Sequence, residues 1–109
     1  MAPPLSVLQG TLDLLVLRTL ADGPNHGYGI AMLVHEMTKG ELAIEDAALY
    51  QALHRLDRQG SVDAEWRSSE NNRRARYYSL TPDGRRRLRE ATASWRRYSR
   101  AMEAVLKGI

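Results

Sequence analysis

The most informative stretch of the chain is residues 46–78, which read DAALYQALHRLDRQGSVDAEWRSSENNRRARYY. Its first part places Leu49, Leu53 and Leu56 on one face of an amphipathic helix. Its second part contains two runs of alternating apolar and polar residues, typical of half-buried β-strands, joined by a segment rich in asparagine and arginine. A helix that can enter a groove, next to a hairpin with a basic tip, is typical of a winged helix-turn-helix. The stretch therefore predicts a DNA-binding regulator of transcription.

The polar side chains of this stretch are the predicted contacts to DNA. On the helix, the face opposite the leucines can hydrogen-bond base edges or phosphates, although a polar face is normal for any surface helix. In the hairpin tip, amides and guanidiniums suit phosphate oxygens or a minor groove. Together with one tyrosine at the start of the preceding helix, the predicted DNA-binding residues are Tyr28, Ala48, Tyr50, Gln51, His54, Arg55, Arg58, Asn71, Asn72, Arg73, Arg74 and Arg76.

The charges of the chain are segregated along its length. The net charge is only +3, but residues 1–66 hold four Lys or Arg against nine Asp or Glu, and residues 67–100 hold eleven against three. A balance of −5 against +8 indicates a localised anionic partner. Arginines on an exposed last helix are equally well explained by solubility.

Several classes of protein are disfavoured by the sequence. There is no cysteine, so disulfides and zinc-thiolate sites are excluded. The three histidines fall in different helices or turns, and no hydrolase, metalloprotease or phosphate-loop motif is present, so we expect no enzyme, no catalytic residue, no cofactor and no metal site. The start of the chain lacks the charge of a secretory signal, and the apolar run of residues 12–20 is too short to span a membrane. We therefore expect a cytoplasmic protein without membrane contact.

Three further helices are predicted around this stretch. Apolar residues at positions 5–20, Leu5 and Leu8 among them, make a first helix apolar on nearly every side, so it should be buried on several faces. A second, amphipathic helix begins at Gly27-Tyr28-Gly29 and ends at Lys39-Gly40. Thr81-Pro82 marks the start of the last helix, with threonine as the cap.

The last helix carries a heptad pattern. A seam of about three heptads predicts pairing with a partner, most simply the twin helix of a two-fold dimer. The alternative is that the stripe packs only on the first helix of its own chain, and both can hold together. The predicted dimerisation residues are Leu88, Ala91, Trp95, Tyr98, Met102, Val105 and Ile109. The expected class is mainly α with a small β-hairpin: a winged helix-turn-helix over residues 1–81 and a C-terminal dimerisation helix over residues 82–109, in one compact domain.

Several short motifs, spread over roughly residues 8–88, can be compared with those of known families. They are Gln9-Gly10-Thr11-Leu12-Asp13, His26-Gly27-Tyr28-Gly29-Ile30, Leu49-Tyr50, Ala52-Leu53-His54-Arg55-Leu56, Asn71-Asn72-Arg73-Arg74-Ala75, Tyr77-Tyr78, and Leu80-Thr81 with Gly84. With these motifs the chain resembles the PadR family of bacterial transcriptional regulators, in the short subgroup with a single C-terminal helix. The resemblance implies a winged-helix homodimer that binds a pseudo-palindromic operator, usually as a repressor, and leaves it when a small hydrophobic or aromatic effector binds.

The resemblance also assigns roles to residues. The recognition helix of the family corresponds to about residues 47–58, with Tyr50 near a phosphate. The chain has Ala48, Gln51 and Asp57 where the family usually has a hydroxyl residue, proline and glutamate, and a glutamine can contact adenine through both groups of its amide. In the short subgroup an aromatic residue near the place of Trp95 can line a ligand cavity between subunits. The residues predicted for such a cavity are Leu12, Leu15, Trp95 and Tyr98.

Other interpretations stay open. Trp95 at a heptad position is also explained by packing in a dimer interface alone. A winged helix can serve as a protein-interaction module without DNA, and the chain can also be a ligand sensor that binds DNA weakly.

Overall fold

The computed structural model of the protein describes residues 3–6, 10–68 and 71–109. In these residues the elements are, in chain order, β1 (Leu5–Ser6), α1 (Leu12–Leu20), β2 (Asn25–His26), α2 (Gly27–Met37), β3 (Leu42–Ala43), α3 (Asp46–Arg58), β4 (Val62–Ser68), β5 (Arg74–Leu80) and α4 (Pro82–Leu106). The predicted class, mainly α with a β-hairpin and a long last helix, is confirmed. No helix in the described part of the chain is long and apolar enough to cross a membrane.

The core lies where the apolar faces of α1, α2 and α3 meet the inner ends of β4 and β5. Its buried residues are Val16, Leu17, Leu20, Ile30, Leu49, Leu53, Leu56, Val62 and Tyr78. The predicted seam of α3 is confirmed, because Leu49, Leu53 and Leu56 are each 1% exposed or less. Burial of three leucines at this spacing fixes the rotation of α3, so its polar face must point outward.

The hairpin predicted from the sequence is present as β4 and β5. The two strands pair antiparallel from Val62 opposite Leu80 to Ser68 opposite Arg74. A third strand, β2, pairs with β5 and places Asn25 opposite Tyr78. Strand β2 was not predicted from the sequence, because a strand of two residues has no periodicity to detect. We call the described part of the hairpin that extends beyond the core, residues 65–68 and 71–76, the wing.

Several predictions of detail need correction. The first helix begins at Leu12, and Leu5 lies in β1, which pairs in parallel with β3; Leu8 lies outside the described residues. Arg74 and Arg76 belong to β5 and not to the tip of the hairpin. Trp66 is 57% exposed and not half-buried as its alternation with polar residues predicts, because β4 has passed the edge of the core at that point.

The last helix divides into a packed part and an exposed part. Near its start, Leu88 packs against the core and Ala91 is half-buried. From Trp95 onward the apolar side chains of α4 are exposed in the single chain. The helix ends at Leu106, so the heptad pattern does not reach Ile109 as predicted. The alternative, in which the apolar stripe of α4 packs only on α1 of its own chain, accounts for the first part of that stripe only.

The start of α4 is held against the turn that follows α3. The backbone N–H of Thr81 donates to the carbonyl of Ser61 at 3.1 Å, and its hydroxyl donates to the carbonyl of Gly60 at 2.6 Å. The same hydroxyl accepts the backbone N–H of Gly84 at 3.0 Å, which confirms the predicted cap. Gly84 is buried, and a Cβ atom on it would collide with the carbonyl oxygen of Ser61.

Replacing Gly84 by alanine should therefore destabilise the protein. We expect Gly84→Ala to lower the free energy of unfolding by about 2–3 kcal/mol, because the backbone of α4 must move away from Ser61 to admit the methyl group. Urea denaturation followed by circular dichroism measures this change. Gly27→Ala is the matched control, since its Cβ would lie 3.5 Å from the ring of Tyr50, in ordinary contact. A Gly84→Ala variant as stable as Gly27→Ala would contradict the close approach.

Candidate nucleic-acid interface

A groove runs between the start of α2, the first turns of α3 and the inner face of the wing. It has a volume of about 890 Å³. Aromatic rings, amides and guanidiniums line most of it, among them Tyr28, Tyr50, Trp66, Arg73, Arg74 and Arg76. A concave surface with rings on its walls and cations at its rim is chemically suited to the sugar-phosphate edge of a nucleic acid.

The wall formed by α3 is fixed by its buried seam. Because the leucines point into the core, Gln51, His54 and Arg58 are exposed on the opposite face. The ring of Tyr50 is 59% exposed and lies over Gly27, where a Cβ would be only 3.5 Å from the ring carbons. The ring of Tyr50 thus packs close to the start of α2.

The wall formed by α2 begins with a histidine cap. The backbone N–H of Gly29 donates to Nδ1 of His26 at 3.0 Å, which closes the first turn. The imidazole stacks on Tyr28 with the ring centres 6.5 Å apart and forms a T-shaped pair with Tyr77, with the ring centres 5.1 Å apart. Tyr28 is 72% exposed at the mouth of the groove. His26 was not predicted from the sequence as a groove residue, although its place before Gly27-Tyr28-Gly29 was a signal for the cap.

The wing contributes the cationic wall. On the face that continues outward from the core, Trp66 is directly opposite Arg76. The guanidinium of Arg74 lies 5.5 Å from the centre of the Trp66 ring, and that of Arg76 lies 5.9 Å from it. Both distances are in the range of cation–π attraction. On the opposite face of the wing, the guanidinium of Arg67 lies 4.9 Å from the ring of Tyr77.

Ion pairs distinguish the predicted arginines from one another. Arg55 donates to the two carboxylate oxygens of Asp13 at 2.6 and 3.4 Å, so it ties α3 to α1 and does not line the groove. This hydrogen bond raises the pKa of Arg55 above its usual value. Arg76 contacts Asp57 at 3.5 Å, which joins the wing to α3. Three of the predicted arginines, Arg58, Arg73 and Arg74, make no ion pair with any residue that the structure describes.

The structure thus brings together about half of the predicted DNA-binding residues. Those that line the groove are Tyr28, Tyr50, Asn71, Arg73, Arg74 and Arg76. Gln51, His54, Arg58 and Asn72 are exposed but do not line the groove, Asn72 with a φ of 59° at the tip, while Ala48 is half-buried. Groove residues that were not predicted from the sequence include Asn25, His26 and Trp66. The sequence shows that residue 66 is aromatic, which was a signal for binding. Only the strand register shows that its side chain lies on the groove face of the wing.

The residues predicted for dimerisation and for a ligand lie away from the groove. The rings of Trp95 and Tyr98 are 6.1 Å apart on the outer part of α4, 39% and 59% exposed. Leu12 and Leu15 are half-buried in α1, and Leu12 packs against the core. Among the described residues, no group of three His, Asp or Glu side chains is placed to hold a metal ion.

Known proteins share this sequence pattern and fold. The family model described as "Transcriptional regulator PadR-like family" matches residues 16–90. A PadR family transcriptional regulator from Eggerthella lenta is 31% identical, with a TM-score of 0.77 over 93% of this chain and 86% of that one. A transcriptional regulator from Clostridium thermocellum is 25% identical, with a TM-score of 0.83 over 91% and 93% of the two chains. An uncharacterized protein from Lysinibacillus sphaericus is 23% identical over 103 residues, 94% of each chain.

Proposed function

Because the chain belongs to the PadR-like family of transcriptional regulators, we propose that it acts as a homodimeric repressor on a pseudo-palindromic operator in the cytoplasm. The family consists of regulators and not of enzymes, in agreement with the sequence prediction, and its members are DNA-binding winged-helix proteins. Beyond membership of the family, the proposal states that the chain represses transcription, that it acts as a homodimer, and that a small hydrophobic or aromatic effector releases it from the operator. In it, residues 1–81 bind DNA and residues 82–109 link two copies of the chain.

The observation that carries the proposal is the groove with its free cations. Arg73 and Arg74 stand at the rim, exposed and without an acidic partner among the described residues. Unpaired guanidiniums are the groups that displace counterions from phosphates, and this release supplies most of the affinity for duplex DNA. The outward face of α3 adds the exposed side chains of Gln51 and His54, whose hydrogen-bonding groups can read base edges.

The test compares two arginine pairs of equal charge. We expect Arg73→Gln with Arg74→Gln to weaken binding to DNA from upstream of the protein's own gene, and to lower the slope of affinity against salt by about two, near one for each phosphate that is no longer neutralised. The control is Arg96→Gln with Arg97→Gln on α4, which changes the net charge equally. Fluorescence anisotropy with the upstream duplex and a scrambled duplex, across a salt series, measures both quantities.

Each outcome of that comparison selects a function. A preference of about a thousandfold for the upstream duplex, abolished by the wing pair only, supports the operator-binding repressor. Equal weakening by both pairs would contradict a localised DNA surface. If the parent protein binds both duplexes equally and weakly, and a set of random duplexes yields no preferred site, the operator is excluded. The protein-interaction module or the ligand sensor then takes its place.

The proposed dimer rests on the outer part of α4. Met102 is 44% exposed and Val105 82% exposed, on the same side of the helix as Trp95 and Tyr98. An apolar stripe of this kind in contact with water is unfavourable by about 25 cal/mol for each Å² that a partner could cover. A second copy of α4 presents the same stripe, and two copies also supply the paired recognition helices that a two-fold operator needs.

A charged residue in this stripe should weaken DNA binding at a distance. We expect Met102→Glu with Val105→Glu to convert the dimer to a monomer and to lower operator affinity by at least about a hundredfold, because each monomer can engage only one half-site. Ala93→Glu, on the opposite and exposed face of α4, is the control. Analytical ultracentrifugation and anisotropy measure the two effects. A monomeric variant that keeps the parent's operator affinity would separate dimerisation from DNA binding and contradict the proposal.

The proposed effector site rests on the Trp95 and Tyr98 pair. Two neighbouring, partly exposed rings offer a stacking surface for a planar hydrophobic or cationic compound. We expect a planar cationic dye to quench the fluorescence of Trp95 in the DNA-free dimer, in competition with effectors that release the operator. A Trp95→Phe variant isolates the contribution of Trp66, which lies in the wing. The same fractional quench in that variant would exclude Trp95 as the site.

A further inference from the structure

Trp66 has an unusual position for a large apolar side chain. Val62, Ala64 and Trp66 share one face of β4, and the exposed fraction along this face rises from 1% at Val62 to 57% at Trp66. The indole therefore continues the core face of the hairpin beyond the core and into the groove. More than half of the surface of Trp66 is therefore open to a partner.

The indole also organises the cations beside it. Arg76 is its direct partner across the strands, and Arg74 lies on the same face, next to it toward the tip. Both guanidiniums lie over the indole, at 5.5 and 5.9 Å. Arginine side chains lose considerable rotamer freedom when they bind a phosphate, and contact with a rigid ring removes part of that cost before binding.

We propose that Trp66 is a DNA-backbone contact and the positioning residue for Arg74 and Arg76. The indole packs against a deoxyribose, and the guanidiniums of Arg74 and Arg76 bond the phosphates beside that sugar, for which Arg76 leaves its exposed 3.5 Å contact with Asp57. An aromatic surface accompanied by two cations is complementary to the backbone, in which each apolar sugar face is accompanied by two anionic groups. The inference rests on the proposed function in its DNA-binding part, but not on the operator, the dimer or the effector.

A contact to the backbone has a distinctive signature. Sugar and phosphate are the same in every sequence, so removal of the Trp66 ring should weaken binding to the upstream and scrambled duplexes by the same factor. The positioning of two cations should also appear as a lower salt slope, although no charge is removed. A merely structural role for Trp66 would lower stability and leave the salt slope of the folded protein unchanged.

The test uses three variants of the full chain in a Trp95→Phe background, where position 66 holds the one remaining tryptophan. Trp66→Leu keeps an apolar side chain but removes the ring, and Trp66→Phe keeps a ring. Arg67→Leu is the matched control, because it breaks the same kind of contact on the opposite face of the wing and leaves Tyr77 against His26. Anisotropy with both duplexes across a salt series is combined with thermal denaturation and with iodide quenching of Trp66.

We expect Trp66→Leu to weaken binding to both duplexes by about tenfold and to lower the salt slope by about one, while Trp66→Phe and Arg67→Leu stay within about threefold of the parent. Saturating duplex should protect Trp66 from iodide. Unchanged binding by Trp66→Leu, or an indole that iodide still reaches in the complex, would overturn the proposal. Weaker binding to the upstream duplex alone would show base reading and overturn the backbone contact.

The two proposals fail in different ways. If the parent shows no preference between the two duplexes or among random duplexes, the operator hypothesis fails, yet Trp66 is still tested on the scrambled duplex, because the contact does not depend on sequence. If the parent binds neither duplex at low salt, both are overturned.

Discussion

The burial of one face of α3 is the constraint on which the remaining structure depends. Leu49, Leu53 and Leu56 are excluded from water by α1, α2 and the inner end of the hairpin. Once these side chains are placed, the opposite face of the helix has to be exposed, and Tyr50 is brought against the start of α2. The groove is thus a consequence of core packing, because its walls are the outer sides of elements whose inner sides form the core.

Core packing also fixes which face of the hairpin holds the cations of the wing. Tyr78 belongs to the core, and its burial raises the pKa of its phenol above the usual value. Two residues nearer to the tip, on the same strand and the same face, Arg76 is exposed in the groove. Since neighbours two apart in a strand share a face, a buried Tyr78 fixes the side on which the wing cations stand. Packing of the core and the position of the wing arginines Arg74 and Arg76 are therefore coupled through β5.

The acidic residues of the first half of the chain shape the electrostatics of the interface. Asp13 holds Arg55 against α1, and Asp57 holds Arg76 beside α3. Exposed pairs of this kind add little to stability, so their main effect is on orientation and local charge. They direct two guanidiniums to fixed places and leave Arg73 and Arg74 as the unpaired cations of the groove among the described residues. Of the two paired arginines, Arg55 and Arg76, only Arg76 lies within residues 67–100, and Asp57 offsets part of the charge that it adds to the excess of +8 there.

The sequence by itself determined the order of the four helices and the hairpin, the buried face of α3, the capped start of α4 and the family. Each of these depends on local periodicity, on turn chemistry or on short motifs, and the residues involved are near one another in the chain. Only the tertiary structure decided that β2 joins the sheet, that Arg55 turns to Asp13, and that Trp66 stands beside Arg74 and Arg76 in a groove with Tyr28 and Tyr50. These contacts join residues far apart in sequence, and their geometry is set by strand register and core packing, which no local pattern of residue types encodes.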